Sequence, residues 1–492
     1  MDTIDTNPRF PEWQARLLFP VLVFSGFVVA IISTLGSPMI PTIAREQNVS
    51  LETAQWLLTI TLLVGAVATP LNGRLADGPW RRQTILISLG LVLIGAIISA
   101  LSDTFPPFIA GRALQGIGQA TIPLTIAVAR DFLPKEKVRS SIGVLSITTA
   151  AGVGLGYPIT GLIAEHFDYH AGFWFAAIVT AIALIAVFFV VPANSKTERR
   201  PLDLVGALLL SIGLLALLLA ISQGERWGWG STRVGSLFVT AVVLLALWVA
   251  QELRTTHPLV ELRLLANRFV LAADVIAVLM GVGLYSMSSL VNRYVQTPSE
   301  AGYGLDSTLL VTGLMLTPLS VGSVLASQVS SRLTRRLGPG LVLAIGSALT
   351  GADMLYLAVA RTHRWESVIA TFVLGIGVGL TFAMMPALII RSVPANETGS
   401  ATGLNQVLRL VGGSIGSAAS VAILTAHHPA GAQYTSDHGY TVAFAAGGAL
   451  CFLAAILSLL LIGRTGANSA PEIAPARATD LAGVASSTGG QR

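Results

Sequence analysis

The stretch GRLADGPWRR, Gly73–Arg82, crowds one acid, three arginines, two glycines and a proline into ten residues. It separates two apolar runs, 51–72 and 83–102. Each is close to the roughly 20 residues that a helix needs to cross the hydrocarbon core of a bilayer. A polar insert between two such runs reads as a turn at a membrane surface. Gly73 and Gly78 permit close backbone approach and a tight bend. Asp77 can accept hydrogen bonds from helix-start N–H groups or from an arginine. Arg81 and Arg82 can hold lipid phosphates or the carbonyl end of a neighbouring helix.

The rest of the chain repeats this alternation. Of its 492 residues, 53% are hydrophobic and 11% charged, against about 25% charged in soluble domains. Fourteen helices are predicted, over 17–43, 51–72, 83–102, 105–130, 139–164, 171–192, 203–222, 233–252, 269–295, 306–331, 340–360, 366–391, 399–426 and 440–463. With the N-terminus in the cytoplasm, 22 of the 30 Lys and Arg residues fall inside and 5 outside. The remaining three, Arg112, Arg293 and Arg409, fall within spans. This asymmetry sets orientation, and it accounts for the net charge of +5 as anchoring beside anionic lipid, with no nucleic acid as partner. The expectation is a multi-pass protein of the cell membrane with both termini cytoplasmic. Residues 1–16 read as a cytoplasmic N-terminus. The first apolar run is too long for a signal-peptide core and reads as a retained span. The Ala-, Gly-, Ser- and Pro-rich tail, 464–492, reads as disordered.

Several classes of function drop out. None of the three lysines, Lys135, Lys137 and Lys196, follows a glycine, so there is no G-x-x-x-x-G-K phosphate loop. No loop is long enough for a nucleotide-binding domain, and no cofactor is expected. The single cysteine, Cys451, reads as a packing residue. His427, His428 and His438 share a loop with Asp437 but lack a fixed short ligand spacing, so no metal site is expected. No Ser/His/Asp set or carboxylate pair has usable local spacing, which argues against an enzyme.

Two apolar runs carry polar or glycine patterns. GRALQGIGQA, Gly111–Ala120, sets Arg112, Gln115 and Gln119 on one helix face. An arginine inside a span needs a partner or a water-lined cavity. A functional group is the favoured reading, because ionisable residues inside a span default to function; a polar stitch between helices is the alternative. GVLSITTAAGVGLGYPITG, Gly143–Gly161, combines Gly143, Gly152, Gly156 and Gly161 with Pro158. Such glycines allow close helix packing, and the proline frees a carbonyl and bends the span. SSRLTRRLG, Ser330–Gly338, is a degenerate echo of the opening stretch in the second half.

Together these segments resemble the major facilitator superfamily. Gly73–Arg82 is similar to its G-x-L-A-D-x-x-G-R-[KR] signature, with Pro79-Trp80 in the region of the second glycine. Gly111–Ala120 resembles R-x-x-Q-G-x-G-x-A. Gly143–Gly161 resembles the antiporter signature G-x8-G-x3-G-P-x2-G-G, with Tyr157 before Pro158 and Thr160 where a glycine is expected. Arg293–Pro318 and Val393–Ala418 resemble the fourteen-span drug:proton antiporter branch. The resemblance implies an all-α membrane protein of two six-helix bundles, 17–192 and 269–463, with two inserted transmembrane helices in a linker, 193–268. It also implies rocking of the bundles about a midplane cavity, with Gly73, Asp77, Gly78, Arg81 and Arg82 as a conformational latch. Spans 1, 4, 9 and 12 would face the cavity. Its candidate residues are Thr34, Gln115, Gln119, Phe372, Phe382, Met384 and Met385, with Asn405 and, on the same face four residues on, Arg409 from span 13, which could neutralise an acid or hold an anionic substrate. Flexible thioethers beside aromatic rings make an adaptable apolar pocket, although lipid-facing packing is the plainer reading of each residue singly.

Proton coupling needs a group that titrates inside the membrane. The branch usually offers an aspartate in span 1, in a pattern like L-D-x-T-x-x-N-x-x-L-P. Here the stretch is IISTLGSPMIP, Ile31–Pro41: Ile32 stands at the aspartate position, Thr34 is kept and Ser37 replaces the asparagine. Asp274 and Asp353 remain as intramembrane acids, with Arg112 as a further candidate in the coupling. Asp274 is favoured because span 9 faces the cavity; a salt bridge to a nearby arginine is its plainer alternative. The expected function is export of hydrophobic or amphipathic drugs in exchange for protons by a monomer. The alternative is a secondary transporter of a specific metabolite, lipid or natural product with different coupling.

Overall fold

The computed structural model describes residues 11–36, 39–54, 56–76, 78–193, 203–256, 258–394, 397–429 and 434–463. Ser37, Asp77 and the tail 464–492 lie outside the described residues. The described residues form helices and no strand. In chain order these are α1 (Glu12–Thr34), α2 (Ile40–Glu46), α3 (Leu51–Ala54), α4 (Trp56–Ala76), α5 (Arg81–Leu101), α6 (Phe105–Gly116), α7 (Thr121–Phe132), α8 (Lys135–His166) and α9 (Tyr169–Val190). There follow α10 (Leu204–Trp227), α11 (Thr232–Arg254), α12 (Arg268–Gln296), α13 (Leu309–Leu337), α14 (Pro339–Val359), α15 (Arg364–Ser392), α16 (Thr398–Ala426) and α17 (Asp437–Ile462).

Among the described residues, twelve of these helices are long and apolar enough to cross a bilayer: α1, α4, α5 and α9–α17. The two expected spans outside this set are 105–130 and 139–164. The first is interrupted by a tight 3₁₀ segment, Ile117–Ala120, between α6 and α7. The second is α8, a single helix of 32 residues with Pro158 inside it. The first span also departs from expectation, because α1 stops at Thr34 rather than near 43. Gly36 there has φ +88°, the left-handed conformation that glycine alone adopts without a Cβ clash. The chain resumes as the short helix α2.

Side chains close many of the helix starts. Asp168, Asp203, Ser231, Asn267 and Ser436 each accept a hydrogen bond from a backbone N–H in the first turn of α9, α10, α11, α12 and α17. This satisfies donors that no helix can satisfy internally. The outer surface is apolar, with Ile87, Ile178, Val242 and Leu460 at least half exposed, as a lipid-facing surface requires.

Buried apolar side chains fall into three main clusters. One draws on α1 and α5–α9, around Leu22, Leu89, Phe108 and Phe173. A second draws on α12–α17, around Met280, Leu319, Phe382 and Phe444. A third joins α4, α10, α11 and α16 through Leu63, Leu214, Trp248 and Leu410, so α10 packs on both α4 and α16. Between the first two clusters run two helix pairs, α8 against α13 and α4 against α16. That seam positions the site.

Candidate functional site

The opening stretch closes one end of the seam. A Cβ on Gly73 would lie 2.8 Å from the Gly399 carbonyl oxygen, so only glycine lets α4 approach the start of α16 this closely. Next to it, Arg74 Nη1 lies 3.1 Å from Glu397 Oε2, with both side chains nearly removed from solvent. Glu397 is the residue just before α16 and also accepts from Ser400 Oγ at 3.3 Å. Arg81 pairs with Asp131 at the end of α7. Arg82 donates to the Phe188 carbonyl and lies over that residue's ring. The Gly78 N–H donates to the Leu75 carbonyl at 3.2 Å, making the turn. Asp77 lies outside the described residues. The loop meets the second half through Arg74, which lies outside the expected latch set of Gly73, Asp77, Gly78, Arg81 and Arg82, and through the approach of Gly73 to Gly399. Arg81 and Arg82 hold helices of their own half.

Arg112 has no carboxylate partner among the described residues. Its side chain is fully buried. It donates to the carbonyls of Ile32 (3.1 Å), Leu57 (3.3 Å) and Ser33 (3.4 Å) and to Gln115 Oε1 (2.6 Å). Ile32 and Ser33 belong to the last turn of α1, whose carbonyls lack intrahelical partners and carry the negative end of the helix dipole. The geometry favours the stitch over the coupling role: Arg112 ties α1, α4 and α6 together, and Gln115 Nε2 extends the tie to Ser99 at 3.4 Å. Arg112→Leu would strand these acceptors. It is expected to lower stability by about 2–3 kcal/mol, read as a lower melting temperature of the full-length protein in detergent. An unchanged melting temperature would contradict the stitch.

The second glycine pattern works on two faces of α8. Cβ atoms on Gly152 and Gly156 would collide with Ala30 and Thr34 of α1. Thr34 donates its hydroxyl back to the Ile31 carbonyl, so it serves this contact rather than the cavity. On the opposite face, Gly154 packs against Ser320 and Leu316 of α13, and Ser320 Oγ donates to the Ala151 carbonyl. Further along the seam, the backbone at Tyr157 and Pro158 meets Gly313 of α13. Gly143 has only ordinary contact with Ala383, and Gly161 is buried.

Between these contacts lies a small cavity, with room for roughly one water molecule. It is lined by Ile122 and Ile126 of α7, Ser146 of α8, Pro386 of α15, and Asn405, Gln406 and Arg409 of α16. Both halves contribute. Of the four spans expected to face the cavity, 105–130 and 366–391 line it through α7 and α15, whereas α1 and α12 do not reach it and α16 supplies most of the polar groups. The Arg409 guanidinium lies over the Phe382 ring, 4.2 Å from its centroid. The other expected lining residues sit elsewhere. Met384 accepts a hydrogen bond from Thr334 of α13, Met385 is fully buried, and Phe372 is half-buried with its carbonyl against Gly322. Gln119 is buried beside Gly65 of α4, and its Oε1 has no hydrogen-bond partner.

Asp274 sits directly behind the cavity. Its side chain is 3% exposed. Asn405 Nδ2 donates to Asp274 Oδ1 at 2.8 Å and to the Ala273 carbonyl at 3.2 Å. Asp274 Oδ2 has no hydrogen-bond partner. The salt bridge to an arginine is not formed among the described residues, so the acid is held by a neutral amide that itself lines the cavity. Asp353 is also buried, with Oδ2 unpartnered, but it lies on α14, which packs against α15 and α17 away from the cavity lining.

Residues 22–417 match the Major Facilitator Superfamily, and the chain belongs to that superfamily. It is a multi-pass membrane transporter rather than an enzyme. The chain is 28% identical over 415 residues to the tetracenomycin C resistance and export protein of Streptomyces glaucescens, covering 83% of this chain and 75% of that one. It is 29% identical over 465 residues to the puromycin resistance protein pur8 of Streptomyces alboniger, covering 90% of each. It is 27% identical over 405 residues to the multidrug resistance protein Stp of Mycobacterium tuberculosis, covering 81% of this chain and 74% of that one. Among solved structures, the human organic anion transporter MFSD10 (TETRAN) shares the fold at a TM-score of 0.63 and 16% identity, over 90% of this chain and 99% of that one.

Proposed function

We propose that the chain is a fourteen-span exporter of hydrophobic or amphipathic compounds, working by proton exchange as a monomer in the cell membrane. The observation that carries this reading is the seam. A cavity is lined from both halves, an acid lies behind it, and a glycine approach and an ion pair close one end. In this reading α8 and the broken helix α6–α7 also cross the bilayer. Residues 17–192 and 269–463 form the two rocking bundles, and α10–α11 are an inserted pair. The partition of 22 Lys and Arg residues against 5 supports an orientation with both termini in the cytoplasm. The latch then lies on the cytoplasmic side. Relatives named for tetracenomycin C export, puromycin resistance and multidrug resistance support the substrate class.

The test is transport in proteoliposomes with an imposed pH gradient and a panel of dyes and antibiotics. Exchange predicts proton movement that begins on addition of a transported compound and stops without protein. Compound movement with no proton flux would replace exchange by uniport or by another coupling ion.

A further inference from the structure

We infer that the seam cavity receives an anionic group on Arg409, so that the exported compounds include amphipathic anions such as carboxylates or phenolates on an apolar body. This rests on the exporter reading and narrows its substrate class.

Arg409 differs from every other buried arginine among the described residues. Arg74 has Glu397, and Arg81 has Asp131. Arg112 has three carbonyls and Gln115. Arg361 has the Asp437 carboxylate, Thr441 and three carbonyls. Arg409 is 5% exposed and lines the cavity, yet among the described residues no carboxylate lies within 4.0 Å and no carbonyl accepts from it. Its side chain lies over the face of the Phe382 ring, and the neutral Tyr285 phenol is close enough to interact with it electrostatically. A guanidinium in this position is costly unless something compensates it. Its donors remain unspent at the cavity.

The surrounding groups select the sign of the ligand. Among the described residues, no Asp or Glu lines the cavity. The nearest acid in the network, Asp274, is engaged from behind by Asn405. Thr402 and Ser146 spend their hydroxyl protons on carbonyls of their own helices. Gln406 Nε2 is buried without a hydrogen-bond partner, so it is a second donor on the same helix. A cation entering here would meet a like charge and no acceptor of full charge. An anion would gain charge-assisted hydrogen bonds from a fixed guanidinium. The remaining lining, with Ile122, Ile126 and Pro386, suits an apolar body. Arg409 lies about three turns along α16 from the end that carries the latch. Parting of the halves at that end therefore opens the way to it.

The test uses the full-length protein in nanodiscs and three fluorescent probes built on one 1-naphthyl body: 1-naphthoate, its methyl ester, and 1-naphthylmethylammonium. The naphthoate is expected to bind at least about 10-fold more tightly than the ammonium. Arg409→Gln is expected to weaken naphthoate binding by roughly 10- to 100-fold while leaving the ester within about 3-fold. Arg409→Lys should retain part of the preference. Gln406→Leu, which keeps the buried cation, supplies a second reading if Arg409→Gln does not fold, with an expected loss of about 3- to 10-fold for the naphthoate. Naphthoate affinity unchanged in both Arg409→Gln and Gln406→Leu, or a wild-type preference for the ammonium, overturns the anion site and leaves the exporter reading standing. Failure of every compound in the pH-gradient panel to drive proton movement overturns proton exchange instead.

Discussion

Asp274→Asn is expected to abolish proton-driven transport, to the level of protein-free vesicles, while compound binding stays measurable. The substitution keeps the shape of the side chain and an oxygen that can still accept from Asn405, but it removes the group that can take up and release a proton. The argument is geometric. Asp274 is buried in α12, receives one hydrogen bond from a neutral amide, and has its second oxygen unpartnered. No lysine or arginine among the described residues lies within ion-pair distance. Asn405 faces both ways: it holds Asp274 and lines the cavity, one turn of α16 before Arg409. A proton arriving at the acid and a compound arriving at the cavity therefore act on the same amide. Proteoliposomes carrying Asp274→Asn should retain compound–compound exchange and lose acceleration by a pH gradient. Asp353→Asn serves as the comparison and should transport like the wild type, because α14 does not line the cavity. Wild-type coupling in Asp274→Asn, or loss of coupling in Asp353→Asn, would move the proton site away from α12.

Much of the architecture was readable from hydropathy alone, because the bilayer imposes a length on each helix. The expected spans 340–360, 366–391 and 399–426 differ by at most two residues at either end from α14, α15 and α16. What was not readable depended on tertiary contact. The segment 105–130 looked continuous, yet it tightens at Ile117–Ala120, where a Cβ on Gly116 would strike the Thr61 carbonyl of α4 and Gln119 fills the space beside Gly65. The early stop of α1 had a larger consequence. A helix running to 43 would have had no free carbonyls near Arg112, which then looks like an uncompensated charge seeking a function. Ending at Thr34, α1 offers the Ile32 and Ser33 carbonyls, and the charge becomes a stitch. The reverse happened to Arg409. The sequence leaves open whether it neutralises an acid or holds an anionic substrate, and the choice turns on the partners that the other buried arginines have and it lacks among the described residues. Likewise Glu397 carried no signal of its own, since the latch loop can be recognised in one half without showing what it grips in the other.

Breaking that grip is the second large effect. Arg74→Ala is expected to shift the protein toward a conformation in which α4 and the start of α16 have separated. Glu397→Ala should do the same. Removing one member of a buried ion pair leaves the other uncompensated, which costs about 3–5 kcal/mol in the state that buries it. A change of that size alters the ratio of two conformations by roughly 100-fold or more. Glu397 keeps its hydrogen bond from Ser400 in the Arg74→Ala variant, so the effect of Arg74→Ala should lie at the lower end. Charge reversal separates latch from fold: Arg74→Glu combined with Glu397→Arg restores the pair, whereas either reversal alone sets like charges against each other. The readout is the distance between spin labels at Trp80→Cys and Arg336→Cys, two exposed positions at the latch end of opposite halves. The native Cys451 is fully buried, so it should not compete for the label. Single variants should lengthen the distance distribution, and the double reversal should bring it back toward that of the wild type. A distribution that ignores all of these changes would leave Gly73 and Gly399 as a packing contact and Arg74–Glu397 as a pair with no part in the transport cycle.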